Sequence, residues 1–195
     1  MPGVSARRTT FAAMKMNAYR TIIVAGALVL FAAACGPARK PDQGSAAPES
    51  PKDEFAGPVA IRASNGKYIC ADQAEGIARW GELKANRDSI GDWESFELVK
   101  QDSLYYALRT KDGKYASAER EGTFQVVADR DSVGDWERFE ILKLANGRVA
   151  FRTTEGRYLA AELAEGASCP LCILANRTDQ GEWESFELQR LEPLP

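Results

Sequence analysis

Two cysteines in this chain are spaced so that they could react with each other. Cys169 and Cys172 enclose only a proline and a leucine, in a segment where a turn between strands is expected. A redox-active pair usually exploits a helix N-terminus to lower a thiol pKa. A zinc site would need further ligands from scattered positions, and the sequence has no histidine. We therefore predict a Cys169–Cys172 disulfide that staples a hairpin, and no metal site.

The absence of histidine also restricts catalysis. It excludes a Ser-His-Asp triad and a Cys-His pair, and it closes the commonest routes to general base chemistry near neutral pH. Asp88, Asp92 and Asp131 could in principle form a hydrolytic carboxylate pair. Most of these carboxylates recur between copies of a repeat described below, which favours a role in loop structure. We expect a non-catalytic protein without a cofactor.

Residues 1–34 are typical of an export signal. They carry four positive charges and no Asp or Glu, and the stretch from Thr21 to Ala34 is an apolar run of 14 residues. That run is shorter than the roughly 20 residues of a spanning helix but has the length of a signal-peptide core. Met14 or Met16 is a possible true start, because the basic segment that follows is already complete.

Cys35 follows small residues, and this junction resembles the bacterial lipobox. The resemblance implies lipidation of Cys35, although Ala32 stands where Leu is most common. Ordinary secretion or an uncleaved anchor are the alternatives. In lipoproteins of this type an Asp directly after the lipidated cysteine retains the protein in the inner membrane. Gly36 stands at that position here, so the resemblance favours the outer membrane of the cell envelope.

Residues 35–56 predict a flexible tether, since they are rich in Pro, Ala, Ser and Gly and have no apolar periodicity. Removing the four positive charges of residues 1–34 from the net charge of −3 leaves about −7 for the rest. A domain this acidic does not attract a phosphate backbone. We exclude nucleic acid as a partner.

Residues 57–191 contain three copies of one unit, which span about 57–103, 104–146 and 147–191. Two blocks align without gaps: Val59–Asp72 with Tyr106–Glu119 and Val149–Glu162, and Ala85–Leu98 with Ala128–Ile141 and Ala175–Leu188. The segment between the blocks is four residues longer in the first and third copies. Internal repeats of this length indicate stacked or closed repeat architectures.

Each copy predicts four short strands. In the first copy they lie near 59–64, 68–72, 82–86 and 95–99, with apolar and polar residues alternating. Glycines such as Gly66, Gly113 and Gly156 stand where hairpin turns require a positive φ. A propeller needs four or more blades. Three four-stranded copies therefore predict an all-β fold, a β-trefoil, in which a barrel is capped by three hairpins.

The apolar positions shared by all copies are the predicted core. They are Ile61, Leu108 and Phe151; Leu83, Val126 and Ile173; Phe96, Phe139 and Phe186; and Leu98, Ile141 and Leu188.

The recurring Arg-x-x-x-Gly-Lys/Arg-Tyr and Gly-Asp/Glu-Trp-Glu-x-Phe-Glu segments resemble those of fascin-like, actin-crosslinking β-trefoils, over roughly residues 57–191. The Q-x-W signature of ricin-type trefoils is absent. The resemblance implies the fold more than the ligand, because a bacterial envelope protein is not expected to meet actin. Many trefoils bind carbohydrate or other proteins, and that analogy is with the fold alone.

Residues present in all three copies are expected to be structural. They include Trp93, Trp136 and Trp183, and three Arg/Glu pairs seven residues apart: Arg87 with Glu94, Arg130 with Glu137, and Arg177 with Glu184. We predict an ion pair in each copy, or a close variant that uses Arg62, Arg109 or Arg152.

Function is expected where the copies differ. Trp80 occurs once, in the long turn of the first copy, and could stack on a sugar ring with Arg79, Asn86 and Arg87 as polar partners. Alternatively, Trp80 folds back and plugs the barrel mouth. We predict carbohydrate binding at the envelope, with an envelope protein partner or a structural scaffold as the alternative and an enzyme third.

Overall fold

The computed structural model describes residues 53–74 and 79–192. The predicted export signal, Cys35 and most of the predicted tether lie outside these residues. Within the described ranges, no helix is long and apolar enough to span a membrane. The chain there forms twelve strands and one turn of 3-10 helix, Asp135–Glu137.

The strands are β1 Gly57–Arg62, β2 Tyr68–Asp72, β3 Glu82–Arg87, β4 Phe96–Lys100, β5 Tyr105–Thr110, β6 Tyr115–Ala118, β7 Val126–Arg130, β8 Phe139–Lys143, β9 Val149–Thr153, β10 Tyr158–Ala161, β11 Ile173–Arg177 and β12 Glu187–Arg190. The four of the first copy begin and end within two residues of the predicted bounds.

Six strands form a closed antiparallel barrel, in the order β1, β4, β5, β8, β9 and β12. The last strand returns to the first, with Ile61 opposite Leu188. A two-way backbone bridge between Val149 and Phe186 joins β9 to the start of β12 and completes the ring. Closure leaves no unpaired barrel edge.

The other six strands form three hairpins, β2–β3, β6–β7 and β10–β11, that pack together over one end of the barrel. A cyclic set of backbone hydrogen bonds links them. Ala128 donates to Gly81, Ala175 to Phe124, and Ala85 to Leu171, at 2.7, 2.7 and 2.8 Å. A barrel capped by three mutually bonded hairpins is a β-trefoil.

The carbonyl residues of this cyclic set all have positive φ, namely 80° at Gly81, 56° at Phe124 and 66° at Leu171. Such values cost little at glycine and more at residues with a Cβ. The hydrogen-bonded hairpin contacts therefore hold Phe124 and Leu171 in a conformation that they rarely adopt alone.

The core follows the prediction closely. Eleven of the twelve predicted core residues are buried, and Phe96, Phe139 and Phe186, which begin or directly precede the last strand of each copy, are at most 2% exposed. Leu188 is the exception: it packs against the core but stays partly exposed. The reason is its position at the barrel end, where it lines a cavity of about 260 Å³ with Phe55 and Arg190.

The predicted tether ends earlier than residue 56. Asp53 accepts the backbone N–H groups of Phe55 and Ala56 at 3.0 Å and the Tyr106 hydroxyl at 2.8 Å. The Phe55 ring meets the Tyr106 ring edge-on at 5.8 Å. Residues 53–56 therefore belong to the folded domain, because Phe55 is an apolar side chain that covers the barrel end.

Candidate functional site

The repeated Gly-x-x-Glu segment builds the same local structure three times. Glu94, Glu137 and Glu184 are each 6% exposed. One carboxylate oxygen of each accepts the N–H of the glycine three residues earlier, at 2.7–2.8 Å. The other lies 3.6, 3.9 and 3.6 Å from Nε of Arg87, Arg130 and Arg177, respectively. The predicted ion pairs are confirmed.

The three repeated tryptophans are not equivalent. Arg87 lies over the Trp93 ring at 5.6 Å, and Arg177 lies over Trp183 at 5.7 Å, which fits a structural role. In the second copy the guanidinium over Trp136 belongs to Arg120 instead. Trp136 is 41% exposed, so the prediction that all three tryptophans are structural holds less well there.

Trp80 projects from the tip of the first hairpin. It is 45% exposed, so it does not plug the barrel. Its neighbour Arg79 forms an ion pair with Glu119 at 2.5 Å and reaches Gln125 at 3.5 Å. The bond to Glu119 raises the pKa of Arg79, and the same bond lowers the pKa of Glu119.

The predicted partners of Trp80 lie elsewhere. Asn86 and Arg87 are at the far end of β3, which from Glu82 to Arg87 is about 17 Å long. Asn86 accepts the Cys70 thiol proton at 3.2 Å, and Arg87 belongs to the Glu94 ion pair. The structure thus does not bring Trp80, Arg79, Asn86 and Arg87 into one site, because β3 is extended and separates its two ends.

The carboxylates considered for hydrolysis each face a lysine. Asp88 pairs with Lys67, Asp92 with Lys111 and Asp131 with Lys114, and all three carboxylates are more than 70% exposed. Ion pairs with different lysines are consistent with the expected role in surface loops.

A cavity of about 880 Å³ lies beside the third hairpin, and a second cavity of about 870 Å³ lies between the loops around Gly91 and Asp112. We call the first of these the cap cavity. It lies among β3, the tip of the second hairpin and the long turn of the third, and its walls include Glu82, Lys84, Phe124, Gln125, Glu162, Cys169, Pro170 and Asn176. The segment between the blocks is four residues shorter in the second copy than in the third, and this difference leaves the gap.

The polar groups of the cap cavity are only partly satisfied by the protein. Glu82 is 3% exposed and pairs with Lys84 at 2.8 Å, while Glu162 pairs with Arg177 at 3.0 Å. Asn176 Oδ1 is buried and has no hydrogen-bond partner among the described residues. A buried acceptor without a partner is costly unless a ligand or water donates to it.

The cysteines meet Glu82 at the floor of this cavity. Cys169 and Cys172 form a disulfide with Cα atoms 5.6 Å apart. Their sulfur atoms lie 3.2 and 3.3 Å from Glu82 Oε1. Cys70 is a free, buried thiol whose pKa is raised by burial. It packs as a small residue, as its alignment with Ser117 and Ala160 predicts.

Sequence reasoning missed Glu82, Gln125, Glu162 and Asn176 as site residues. The one available signal was the unequal turn length, since a short turn beside a long one leaves space. The partners across that space come from different copies, and no spacing within one copy reveals them.

Solved structures similar to this chain share its fold. The designed threefold-symmetric protein ThreeFoil aligns with 69% of this chain and 99% of its own, at a TM-score of 0.58 and 20% identity. SeviL bound to asialo-GM1 saccharide aligns with 70% of this chain and 99% of its own, at a TM-score of 0.53 and 18% identity. Rhizoctonia solani agglutinin aligns with 71% of this chain and 98% of its own, at a TM-score of 0.54 and 15% identity. Identities this low establish the β-trefoil fold alone.

Curated proteins give no sequence match to this chain. The family model described as "Domain of unknown function (DUF7910)" matches residues 60–171, which is more than half of the sequence, and the chain therefore belongs to that family.

Proposed function

We propose that this chain is a non-catalytic carbohydrate-binding protein, held at the cell envelope by a lipid on Cys35. The observation that carries the proposal is the cap cavity, whose wall includes Asn176, a residue with a buried Oδ1 that has no hydrogen-bond partner among the described residues. Sugars present many hydroxyl donors, and a site with convergent carboxylate and amide acceptors beside apolar surface suits them.

The cavity wall offers both kinds of contact. Asn176 and Glu162 supply acceptors, and Lys84 supplies a donor, while Phe124 and Pro170 supply apolar surface. The Glu162 carboxylate is oriented by Arg177 at 3.0 Å. A sugar hydroxyl that donates to Asn176 Oδ1 supplies the hydrogen bond that the protein does not. The new bond therefore removes the desolvation penalty of an unpartnered acceptor as well as adding a contact.

Two structural neighbours favour this ligand class. One neighbour is described as bound to a saccharide and another as an agglutinin. They support the proposal as analogies of fold, since function lies in sites and not in the fold itself.

Glycan-array binding by the full-length chain, purified in a polyoxyethylene detergent, tests the proposal. We expect one family of glycans to bind and the remainder to stay at background. Binding that disappears in Trp80→Ala and survives in Asn176→Ala would place the sugar at the hairpin tip instead of the cavity. An array without binding, together with co-purification of an envelope protein, would favour the interaction-module alternative.

The proposed anchor rests on the apolar run before Cys35 and on the small residues at the junction. Metabolic labelling with an alkyne fatty acid should mark the wild-type chain and leave Cys35→Ser unlabelled. Equal labelling of both proteins would show that Cys35 does not carry the lipid. Fractionation of the labelled cells would then test the outer-membrane assignment, which rests on Gly36.

We also propose that the domain is the fascin-like type of β-trefoil, with three copies of four strands about one pseudo-threefold axis. Its support is the repeated Gly-x-x-Glu unit, which forms the same hydrogen bond and ion pair in each copy. An experimental structure in which the three copies fail to superpose by rotations of about 120° would contradict it.

A further inference from the structure

We infer that reduction of the Cys169–Cys172 disulfide creates a binding site for one soft divalent cation, such as Zn²⁺, formed by the two thiolates and the carboxylate of Glu82. Among the described residues, these side chains are the group of three whose potential ligand atoms all lie within 4.8 Å of one another. The inference concerns the reduced protein and does not depend on the proposed carbohydrate site.

The Glu82 oxygen is close enough to both sulfurs to share a metal ion with them. Glu82 Oε1 lies 3.2 Å from Cys169 Sγ and 3.3 Å from Cys172 Sγ. A tetrahedral zinc ion with ordinary Zn–S and Zn–O bonds holds a sulfur and an oxygen ligand about 3.6 Å apart. After reduction the two sulfurs must also separate to about 3.8 Å, which rotation of the cysteine side chains allows, and the Cys-x-x-Cys spacing is common in zinc sites.

The two cysteines differ in access. Cys172 is fully buried, whereas Cys169 is partly exposed and lines the cap cavity. A cation and a completing water can therefore approach from the cavity. Gln125 also stands at the site: its amide Nε2 donates to Glu82 Oε1 and lies 3.2 Å from Cys169 Sγ, so Gln125 orients the carboxylate and a water from the cavity is the fourth ligand.

Charge balance favours a divalent ion here. Two thiolates and the Glu82 carboxylate carry three negative charges, and Lys84 lies 2.8 Å from the second Glu82 oxygen. One Zn²⁺ together with Lys84 brings the total to zero. Because an uncompensated charge at a buried site is expensive, the cation stabilises the deprotonated form of the thiols.

The chemistry has two separate steps. A dithiol or phosphine reductant donates two electrons and, with two protons, converts the S–S bond into two thiols. The cation then displaces both thiol protons as two metal–sulfur bonds form. Two protons leave for each cation bound, so below the thiol pKa values the apparent affinity rises about 100-fold per pH unit.

Cobalt titration tests the inference directly. The full chain carrying Cys35→Ser, which removes the other thiol outside the domain core, is reduced with a phosphine and titrated with Co²⁺. We expect a thiolate-to-cobalt charge-transfer band and tetrahedral visible bands that saturate at one equivalent, and both should disappear when Zn²⁺ is added. The oxidised protein should give neither band. Absence of the bands in the reduced protein would overturn the inference.

Three variants test whether a loss of Co²⁺ binding comes from removal of a ligand or from loss of the fold. Cys172→Ser should abolish the charge-transfer band, and Glu82→Gln should weaken Co²⁺ binding at least 10-fold. Cys70→Ala is the matched control, since Cys70 is a buried cysteine paired with Asn86, and it should bind Co²⁺ as the parent does. Circular dichroism verifies that each variant is folded. Unchanged affinity in folded Glu82→Gln would exclude the carboxylate as a ligand and refute the site as described.

Discussion

The carboxylate of Glu94 accepts the backbone N–H of Gly91 at 2.8 Å. A Cβ at Gly91 would lie 3.1 Å from the same carboxylate oxygen, so the glycine lets the acid approach its own loop. Arg87 then closes the loop from the other side, at 3.6 Å. The same relationship in the other two copies explains why the sequence repeats Gly-x-x-Glu and the arginine together.

Glu94→Ala should lower the free energy of unfolding by about 2 kcal/mol, because it removes a buried carboxylate that accepts the Gly91 N–H and pairs with Arg87. Urea denaturation measures the change. Glu182→Ala is the control, since Glu182 occupies the same kind of loop in the third copy but is exposed, and it should change stability by less than about 0.5 kcal/mol. Equal effects of the two substitutions would show that the buried carboxylate has no special role.

Gly81→Ala should destabilise the protein by at least about 2 kcal/mol. Gly81 has a φ of 80°, and an added Cβ would lie 2.5 Å from the carbonyl oxygen of Ala128, where the first and second hairpins meet. Gly122→Ala shares the positive φ but has nothing within 4 Å, so it should cost about 1 kcal/mol. Thermal or urea unfolding of both variants checks this. A Gly81→Ala loss no larger than that of Gly122→Ala would contradict the close hairpin contact.

Asp53 should make stability depend on acid pH. The bond from Lys100 is the main cause that holds the Asp53 pKa well below its usual value of 3.8, and backbone and Tyr106 hydrogen bonds add to it. The unfolded chain therefore takes up this proton first as the pH falls, so the contribution is present above about pH 5 and is lost on acidification below 3.8. Asp53 also raises the pKa of Tyr106, whose burial is the larger cause, to about 12.

Asp53→Ala should cost about 1–2 kcal/mol at neutral pH, since two backbone N–H groups and the Tyr106 hydroxyl lose their acceptor. The difference from wild type should shrink as the pH falls from 5 toward 2, as measured by urea denaturation at several pH values. A difference that stays constant over this range would show that the ionised carboxylate is not what stabilises the barrel end.

Much of the fold could be predicted from the sequence because the same pattern of apolar and turn residues recurs in all three copies of the repeat. Apolar alternation at Leu83, Val126 and Ile173 located the inward-facing side of the third strand in each copy, and all three are buried. Asp53 and Phe55 were missed, since they precede the first copy and have no counterparts. Their role depends on Tyr106, about fifty residues away, with which nothing in the local sequence pairs them.

The cap cavity could not be predicted in the same way. Trp80 is unmatched in the other copies, but Asn86 and Arg87 are near it only in sequence, because the extended strand β3 carries them away from it. Glu82 and Cys172 come from different copies and meet only because the three hairpins close on each other, through bonds such as that from Ala85 to Leu171. Long-range closure of this kind has no signature in one sequence.

Calorimetric titration of Asn176→Ala and Asn86→Ala with the glycan that binds best on the array tests the central claim most directly. The two asparagines are equivalent positions in different copies, but Asn176 lines the cap cavity and Asn86 is bonded to Cys70. We predict that Asn176→Ala weakens binding about 10-fold or more, as expected for a lost buried hydrogen bond, and that Asn86→Ala binds as wild type does. Undiminished binding by a folded Asn176→Ala would contradict a carbohydrate site in the cap cavity.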